Sequence, residues 1–489
     1  MTDHGGNGRR NNGNITVAPA RRTDGLDALR GRSVLVLNWR DVRHPRAGGA
    51  ELYAHQVARR WAAAGVRVTW LTSRPPGTPA REVVDGVQVL RRGGTFSVYA
   101  AVAAALLRHG RLFDAVLDCQ NGIPFFAPAF APRTTPVVQV VHHVHQEQFD
   151  AHFSRPVAVL GRFLEGPASR RVYGDRALAV VSPSTRRDVR TRLGLRGPAF
   201  IVPNGNEPPV DRSGPRDPDP TVVVVGRLVA HKRLDRLLRA LPDVLPAVPG
   251  LRVSVVGDGP ERRRLELLAG ELGLRRAVRF HGRLPDAERD ELVRRAWLTT
   301  STSQGEGWGC TVLEANRFGV PCLAVAAAGI DDSVRHDGTG WLVPDPAALA
   351  PALVDALTRL ADDAVAARLS DRCRAWASAF TWDRSAELLA GVLAAEGRRL
   401  AAPRPDRRAA RADLVTAVRF RVPRDVPPPR GRLTDQVRVD GEHGTALLHG
   451  CDEVDAEAVL ARWRVEPVSI ELAREEQLLT GAAHPADRT

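Results

Sequence analysis

This sequence goes almost without lysine, is poor in aromatic residues, and has neither paired cysteines nor a long apolar run. Each shortage removes a class of protein. Cys119, Cys310, Cys322, Cys373 and Cys451 are an odd, scattered set, which argues against a disulfide framework or a structural zinc site and for a reducing compartment. No stretch approaches the ~18 consecutive apolar residues of a membrane span. The first thirty residues are polar and rich in Gly, Asn and Arg, without the apolar core of a signal peptide. The expectation is a protein that works in the cytoplasm. The formal charge of +14 invites a nucleic-acid reading, but aromatics are only 5%, leaving few stacking platforms, and the arginines are spread along amphipathic segments. Contact with anionic lipid at the inner face of the membrane suits that charge better. Its candidate helix is residues 98–112, VYAAVAAALLRHGRL, which also reads as an ordinary buried domain helix.

What is present is concentrated chemistry. Residues 305–321, GEGWGCTVLEANRFGVP, hold two glutamates, Glu306 and Glu314, across a glycine-rich loop feeding a helix. Gly305, Gly307 and Gly309 permit a tight turn, and the helix is closed by Gly319 and Pro321. The loop and first helical turn, Gly307 to Thr311 through Trp308, Gly309 and Cys310, offer free amides to an anion. Glu314 falls in the second turn with its side chain leaning back toward the N-terminus, so both carboxylates can face one ligand. Carboxylates accept from sugar hydroxyls while amides and cations hold phosphate, a combination that fits a nucleotide sugar. The second segment, TVVVVGRLVAHK, places Arg227 and Lys232 just after an apolar strand. Lys232 is the single lysine among 70 basic residues. A rigid guanidinium fork and a compact ammonium can together clamp a diphosphate.

These ordered motifs resemble the retaining glycosyltransferases of family 4, which have the GT-B fold, over roughly residues 32–400. The resemblance implies that Glu306 contacts the donor sugar, that Glu314 contacts the ribose, and that Arg227 and Lys232 hold the diphosphate. It also matches Gly48 and Gly49 to a Gly-Gly loop before the first helix, His142 rather than His143 to a pocket histidine after PVVQVV, and Arg283 to a loop reading the base. It implies a hexose-type transferase using a nucleoside diphosphate sugar, no divalent metal or other cofactor, and an acceptor that is often lipid-linked. The chain departs from the family where Ala328, Gly329, Ile330, Asp331 and Asp332 replace a Gly-Gly-x-Pro-Glu run.

Strand-like and helix-like segments alternate in the manner of parallel sheets. The expected architecture is α/β, two doubly wound Rossmann-like domains facing a cleft, with a small C-terminal extension. The boundaries read as a disordered segment 1–30, an acceptor domain 31–205, a hinge 206–220, a donor domain 221–400 ending in a crossover helix, a Pro/Arg-rich linker 401–432, and an appendage 433–489. Three patterns imitate other functions. Asp217, Pro218 and Asp219 spell the D-x-D of metal-dependent transferases inside the proline-rich hinge. His142, His143, His145, Glu147 and His152 crowd like metal ligands, without a second cluster to complete four. VSVVGDGPERRRLE imitates a dinucleotide fingerprint, with Arg262 where the third glycine belongs. Two further readings use the same features: a phosphorylase or hydrolase on this fold, and a non-catalytic nucleotide-sugar-binding subunit.

Overall fold

The computed structural model describes residues 24–210, 214–401 and most of 415–473. Strands β1 (Ser33–Leu37), β2 (Arg67–Thr72), β3 (Arg81–Val84), β4 (Val87–Arg91), β5 (Ala115–Gln120), β6 (Val137–Val141), β7 (Leu178–Val180) and β8 (Ala199–Ile201) form one sheet in the order β3-β4-β2-β1-β5-β6-β7-β8. Every pairing is parallel except the β3–β4 hairpin. Runs such as SVLVL and VVQVV are apolar at successive positions because helices cover both faces of a parallel sheet. A second parallel sheet contains β9 (Thr221–Val225), β10 (Arg252–Val256), β11 (Val278–Gly282), β12 (Leu298–Ser301), β13 (Cys322–Val325) and β14 (Gly340–Val343), ordered β11-β10-β9-β12-β13-β14. The α/β, doubly wound, two-domain GT-B architecture expected from the alternation is the one observed.

The helices that position the site are α1 (Asp24–Leu29), α2 (Gly49–Ala63), α3 (Ser97–His109), α4 (Gln146–His152), α5 (Arg155–Phe163), α6 (Ser169–Tyr173) and α7 (Pro183–Thr191) in the first domain. The second contributes α8 (Leu234–Val244), α9 (Arg262–Glu271), α10 (Asp286–Arg295), α11 (Cys310–Asn316), α12 (Ile330–Ser333), α13 (Leu349–Leu360) and α14 (Asp363–Ser378). The last helix of the second half, α15 (Trp382–Ala401), returns to the first domain. There Trp61 of α2, fully buried, donates from Nε1 to the Ala386 carbonyl at 2.8 Å. Gly25 of α1 lies so close to α15 that a Cβ would stand 2.6 Å from the Gly391 nitrogen.

Several expectations need correcting. Residues 24–29 of the supposed disordered segment are helical, because Leu29 has α15 to pack against; residues 1–23 lie outside those described. REVV was not recognised as a strand, yet Asp85 and Gly86, both at positive φ, turn it back onto β4 as a hairpin. The TGWLVP segment supplies β14. Within the expected linker, Val415–Arg421 forms β15, one of the two inner strands of a four-stranded antiparallel sheet with β16 (Gln436–Asp440), β17 (His443–His449) and β18 (Glu466–Ala473). IELA belongs to β18. This sheet has its own core, in which Val418, Phe420 and Leu448 meet Ala456 and Leu460 of helix Glu453–Trp463. The rest of the linker, residues 211–213 of the hinge and residues 474–489 lie largely or wholly outside those described. Finally, α3 spends its apolar stripe on the domain core through Val98, Val102 and Leu106, as the buried-helix reading expects, while Leu107 stays exposed.

Because the indole of Trp61 joins α2 to α15, Trp61→Ala is expected to cost about 3–5 kcal/mol, read as a lowered urea midpoint of the first domain.

Candidate functional site

The site forms where the carboxyl ends of the two sheets face each other, the ligand-binding edge of open α/β sheets. On the second domain, β9 ends at Val225, and Arg227 follows Gly226 on an exposed loop. That loop is held by the GDG turn after β10. The Gly226 amide donates to Val256 O and the Leu228 amide to Asp258 O, both at 3.0 Å. A Cβ on Gly257 would come within 1.8 Å of Gly226 O, and one on Gly259 within 2.3 Å of Leu228 O. The dinucleotide-like pattern is therefore a packing turn that fixes the Arg227 loop.

The next turn, Ala230–Lys232, is 3-10 helical and is stitched to the segment after β12. Thr302 Oγ1 donates to the carbonyls of Lys232 (3.1 Å) and Arg233 (2.9 Å), and the Gln304 amide donates to His231 O at 2.9 Å. This brings Lys232 Nζ to 2.5 Å from Glu306 Oε1, which also accepts from Ser303 Oγ at 2.7 Å. Burial, the largest influence on Glu306, pushes its carboxyl up, but the Lys232 charge and hydrogen bond together with Ser303 outweigh it and hold the group below the usual range. The departed loop still supports this glutamate. The Glu306 amide donates to Ala328 O at 2.9 Å, and Gly329, at φ 76°, approaches so closely that a Cβ would lie 2.1 Å from Glu306 O.

Glu314 lies in the second turn of α11. Burial raises its carboxyl above the usual value, opposed by Arg289, Arg317 and Lys232. Cys310 lies in the field of both glutamates, and burial with that field pushes its thiol up to about 12, too high for a nucleophile at neutral pH. Its Sγ accepts from Asn204 Nδ2 of the first domain at 3.2 Å. Thr311 is half-buried at the start of the same helix.

The first domain closes the other wall. Gly48 caps α2, donating its amide to Glu51 Oε2 at 2.7 Å, and Gly49 begins the helix. Arg40, in the loop before them, is depressed first by burial and then by the like charges of Arg46 and Arg227, against Glu51. Arg227 is therefore close enough across the cleft to act on Arg40. The two backbones meet at Gly307, where a Cβ would stand 2.2 Å from His142 O. Thr185 Oγ1 lies 3.4 Å from His142 O and 3.3 Å from Gly307 O, and the Ser184 amide donates to Asp332 Oδ2 at 3.0 Å.

Of the residues named from sequence, the structure groups Lys232, Glu306, Glu314, Gly307 and Cys310, with Arg227 close enough to act electrostatically on Arg40. The Trp308 side chain itself turns away from that group. That indole is 3% exposed and packs 5.1 Å from the Phe380 ring, in the core of the first domain, because it is the apolar plug on which the glycine loop turns. Arg283 is exposed beyond β11, the edge strand, apart from the ion pair. The two histidines divide the expected role. His142 meets Tyr53 edge-on at 4.8 Å, and burial drops it to about 4. His143 is the ring that feels Glu306 and His231, and burial with the His145 charge brings it to about 4 as well. Both are neutral at pH 7.

Sequence reading missed Glu165. It is fully buried in a π-helical turn, Leu164–Ala168, and accepts from the His145 amide at 2.7 Å and from Gln146 Nε2 at 2.6 Å. It thus anchors the chain just past His143. The histidine crowding was the signal available in the sequence. Among the described residues no group of three or more potential ligands is arranged to hold a metal ion, and Glu147 pairs with Arg192 at 3.0 Å. In the D-x-D pattern, Asp217 pairs with Arg295 (2.5 Å) and Asp219 with Arg252 (2.9 Å).

A cleft between two Rossmann-like domains, floored by an ion pair and a second glutamate, defines the GT-B class of sugar-transferring enzymes. The comparisons agree. The family description Glycosyltransferase Family 4 matches residues 47–208, and Glycosyl transferases group 1 matches residues 209–377. The D-inositol 3-phosphate glycosyltransferase of Acidothermus cellulolyticus is 30% identical over 390 residues, 71% of this chain and 85% of that one. The GDP-mannose-dependent alpha-(1-6)-phosphatidylinositol monomannoside mannosyltransferase of Mycolicibacterium smegmatis is 31% identical over 253 residues, 46% of this chain and 65% of that one. Among solved structures, the sucrose-phosphate synthase of Thermosynechococcus elongatus aligns with a TM-score of 0.58 at 22% identity, over 73% of this chain and 96% of that one. WaaG, a glycosyltransferase of lipopolysaccharide biosynthesis, aligns at 0.57 with 20% identity, over 74% and 99%. The chain belongs to the GT-B glycosyltransferases.

The raised Glu314 makes a signed prediction. A carboxyl lifted by burial contributes stability that is complete below its unfolded value and lost as pH rises through the folded one. Glu314→Gln is therefore expected to raise the melting temperature of the ligand-free protein at pH 7, with the gain shrinking toward pH 4. An unchanged difference across that range in a thermal melt would contradict the burial argument.

Proposed function

We propose that the enzyme is a retaining glycosyltransferase that moves a hexose from a nucleoside diphosphate sugar to an acceptor hydroxyl without a divalent metal. The observation carrying this reading is the 2.5 Å contact between Lys232 and Glu306 in the interdomain cleft, with Glu314 and Arg227 flanking it. The curated relatives support the class, since one is named for an inositol phosphate acceptor and the other for a GDP-mannose donor.

In the reaction the anomeric carbon–oxygen bond to phosphate breaks and a bond from that carbon to the acceptor oxygen forms. The acceptor's proton passes to the leaving phosphate oxygen. Negative charge grows on the diphosphate as the bond breaks, and Lys232, Arg227, Arg40 and the amides of the glycine loop are fixed in place to meet it. In this reading cations do what a bound metal would otherwise do. Lys232 exchanges its carboxylate partner for phosphate, releasing Glu306 to accept from sugar hydroxyls. Glu314 accepts from the ribose. His143, neutral and beside Glu306, lines the saccharide pocket, the role first expected of His142, while His142 supports the wall from behind. None of the five cysteines forms a disulfide, which suits action in the cytoplasm at or near the inner membrane face. No described helix is long and apolar enough to cross a membrane.

Lys232→Ala is expected to cut transfer by roughly 10²–10³-fold, the scale of losing one preorganised charge at the developing anion, with melting and circular dichroism close to wild type. Lys232→Arg is expected to fail as well, because a planar fork cannot replace the ammonium against Glu306. Wild-type turnover in either variant would remove the assignment. His143→Ala is expected to lower kcat more than His142→Ala, whose main effect is on stability. Rapid donor hydrolysis without any acceptor would instead identify a hydrolase.

A further inference from the structure

We propose that the first domain carries a separate phosphate-binding pocket, formed by Arg74, Arg81 and Arg92, that receives an anionic group of the acceptor. A cavity of about 290 Å³ lies at the carboxyl rim of the first sheet, lined by Arg74, Ala80, Arg81, Arg91, Arg92 and Gly93. No acidic residue lines it. The topology accounts for the convergence. Arg91 and Arg92 end β4, Arg74 follows the end of the neighbouring β2, and Arg81 begins β3, antiparallel to β4 and opposite Leu90. All four side chains therefore originate at one edge.

Their partners differ. Arg91, essentially buried, is saturated by Asp41 (2.6 and 3.2 Å) and Glu82 (2.8 Å), and Glu82 is shared with Arg43 at 3.2 Å. Arg91 is thus a structural floor, and the neighbouring acids are engaged. Arg74 donates from Nε to Thr78 O at 3.0 Å. Among the described residues, neither Arg81 nor Arg92 meets a carboxylate. Three guanidiniums drawn to one concavity without a counter-charge repel one another, and an anion with several oxygens relieves this best. Guanidinium forks match phosphate oxygens two at a time.

The pocket communicates with the cleft. Ser73 Oγ, beside Arg74, donates to Trp39 O at 2.7 Å, and Trp39 Nε1 donates to Thr95 O at 2.9 Å, in the loop after Gly93. Arg40 stacks 4.4 Å over the Trp39 ring and faces Arg227 electrostatically. An acceptor held by its phosphate at the arginines extends along Trp39 with its hydroxyl toward the donor. The word acceptor rests on the transferase reading above; the anion pocket does not.

The test is a calorimetric titration of inorganic phosphate into the full chain, with nucleoside diphosphate present and again in a Lys232→Ala background, so that phosphate in the donor position is not counted. Saturable binding of one phosphate per chain is expected, weakened at least tenfold, about 1.4 kcal/mol, in Arg74→Ala/Arg92→Ala and more modestly in Arg81→Ala. Absence of saturable binding, or equal affinity in the double variant, overturns the pocket. A nucleoside diphosphate that fails to raise the melting temperature counts against the transferase reading instead, and leaves the phosphate result standing. Co-sedimentation with phosphatidylinositol vesicles, lost in the double variant and absent with phosphatidylcholine, places the phosphate on a lipid; phosphate binding without vesicle capture places it on a soluble acceptor.

Discussion

The cleft is organised around the pairing of one ammonium with one carboxylate in a half-buried position. Lys232 and Glu306 come from different strand-to-helix connections of the second sheet. Each would be costly to bury alone, because desolvation disfavours charge without a partner. Together they fix two loops, the turn after β9 and the glycine loop after β12, which are also joined by the Thr302 hydroxyl and the Gln304 amide. The same pairing prepares both groups for a ligand that offers each a better partner, phosphate for the ammonium and hydroxyls for the carboxylate.

Close backbone approach sets the rest of the geometry. Gly307 against the His142 carbonyl and Gly329 against the Glu306 carbonyl leave no room for any Cβ. These contacts hold Glu306 and the His142–His143 wall in register across two domains. They also explain why Trp308 points away: a loop tightened by glycines on both sides of an indole turns that indole into the apolar layer behind it, where Phe380 meets it.

The sheets were legible in the sequence because parallel strands buried on both faces must be apolar at successive positions, and β1, β6 and β9 are. The charged pair was legible because Lys232 stands alone in an arginine-rich chain and Glu306 and Glu314 bracket a glycine loop. What escaped depended on partners distant in sequence. Strand β15 sits in a basic, proline-rich stretch and is a strand only because β17 and β18 flank it. The setting of His142 depends on Tyr53, which comes from α2. Glu165 carried no local pattern at all; its importance comes from a π turn that delivers it beneath His145.

The return of α15 to the first domain has a mechanical meaning. The chain crosses between lobes twice, near Asn206 going out and near Thr381 coming back, and these two residues lie side by side in a bridge. Two adjacent crossings act as a pair of pins on one door: they permit swinging about the line through them and resist sliding or twisting. Any opening of the cleft is thereby confined to an arc whose largest travel falls at the rim farthest from that bridge.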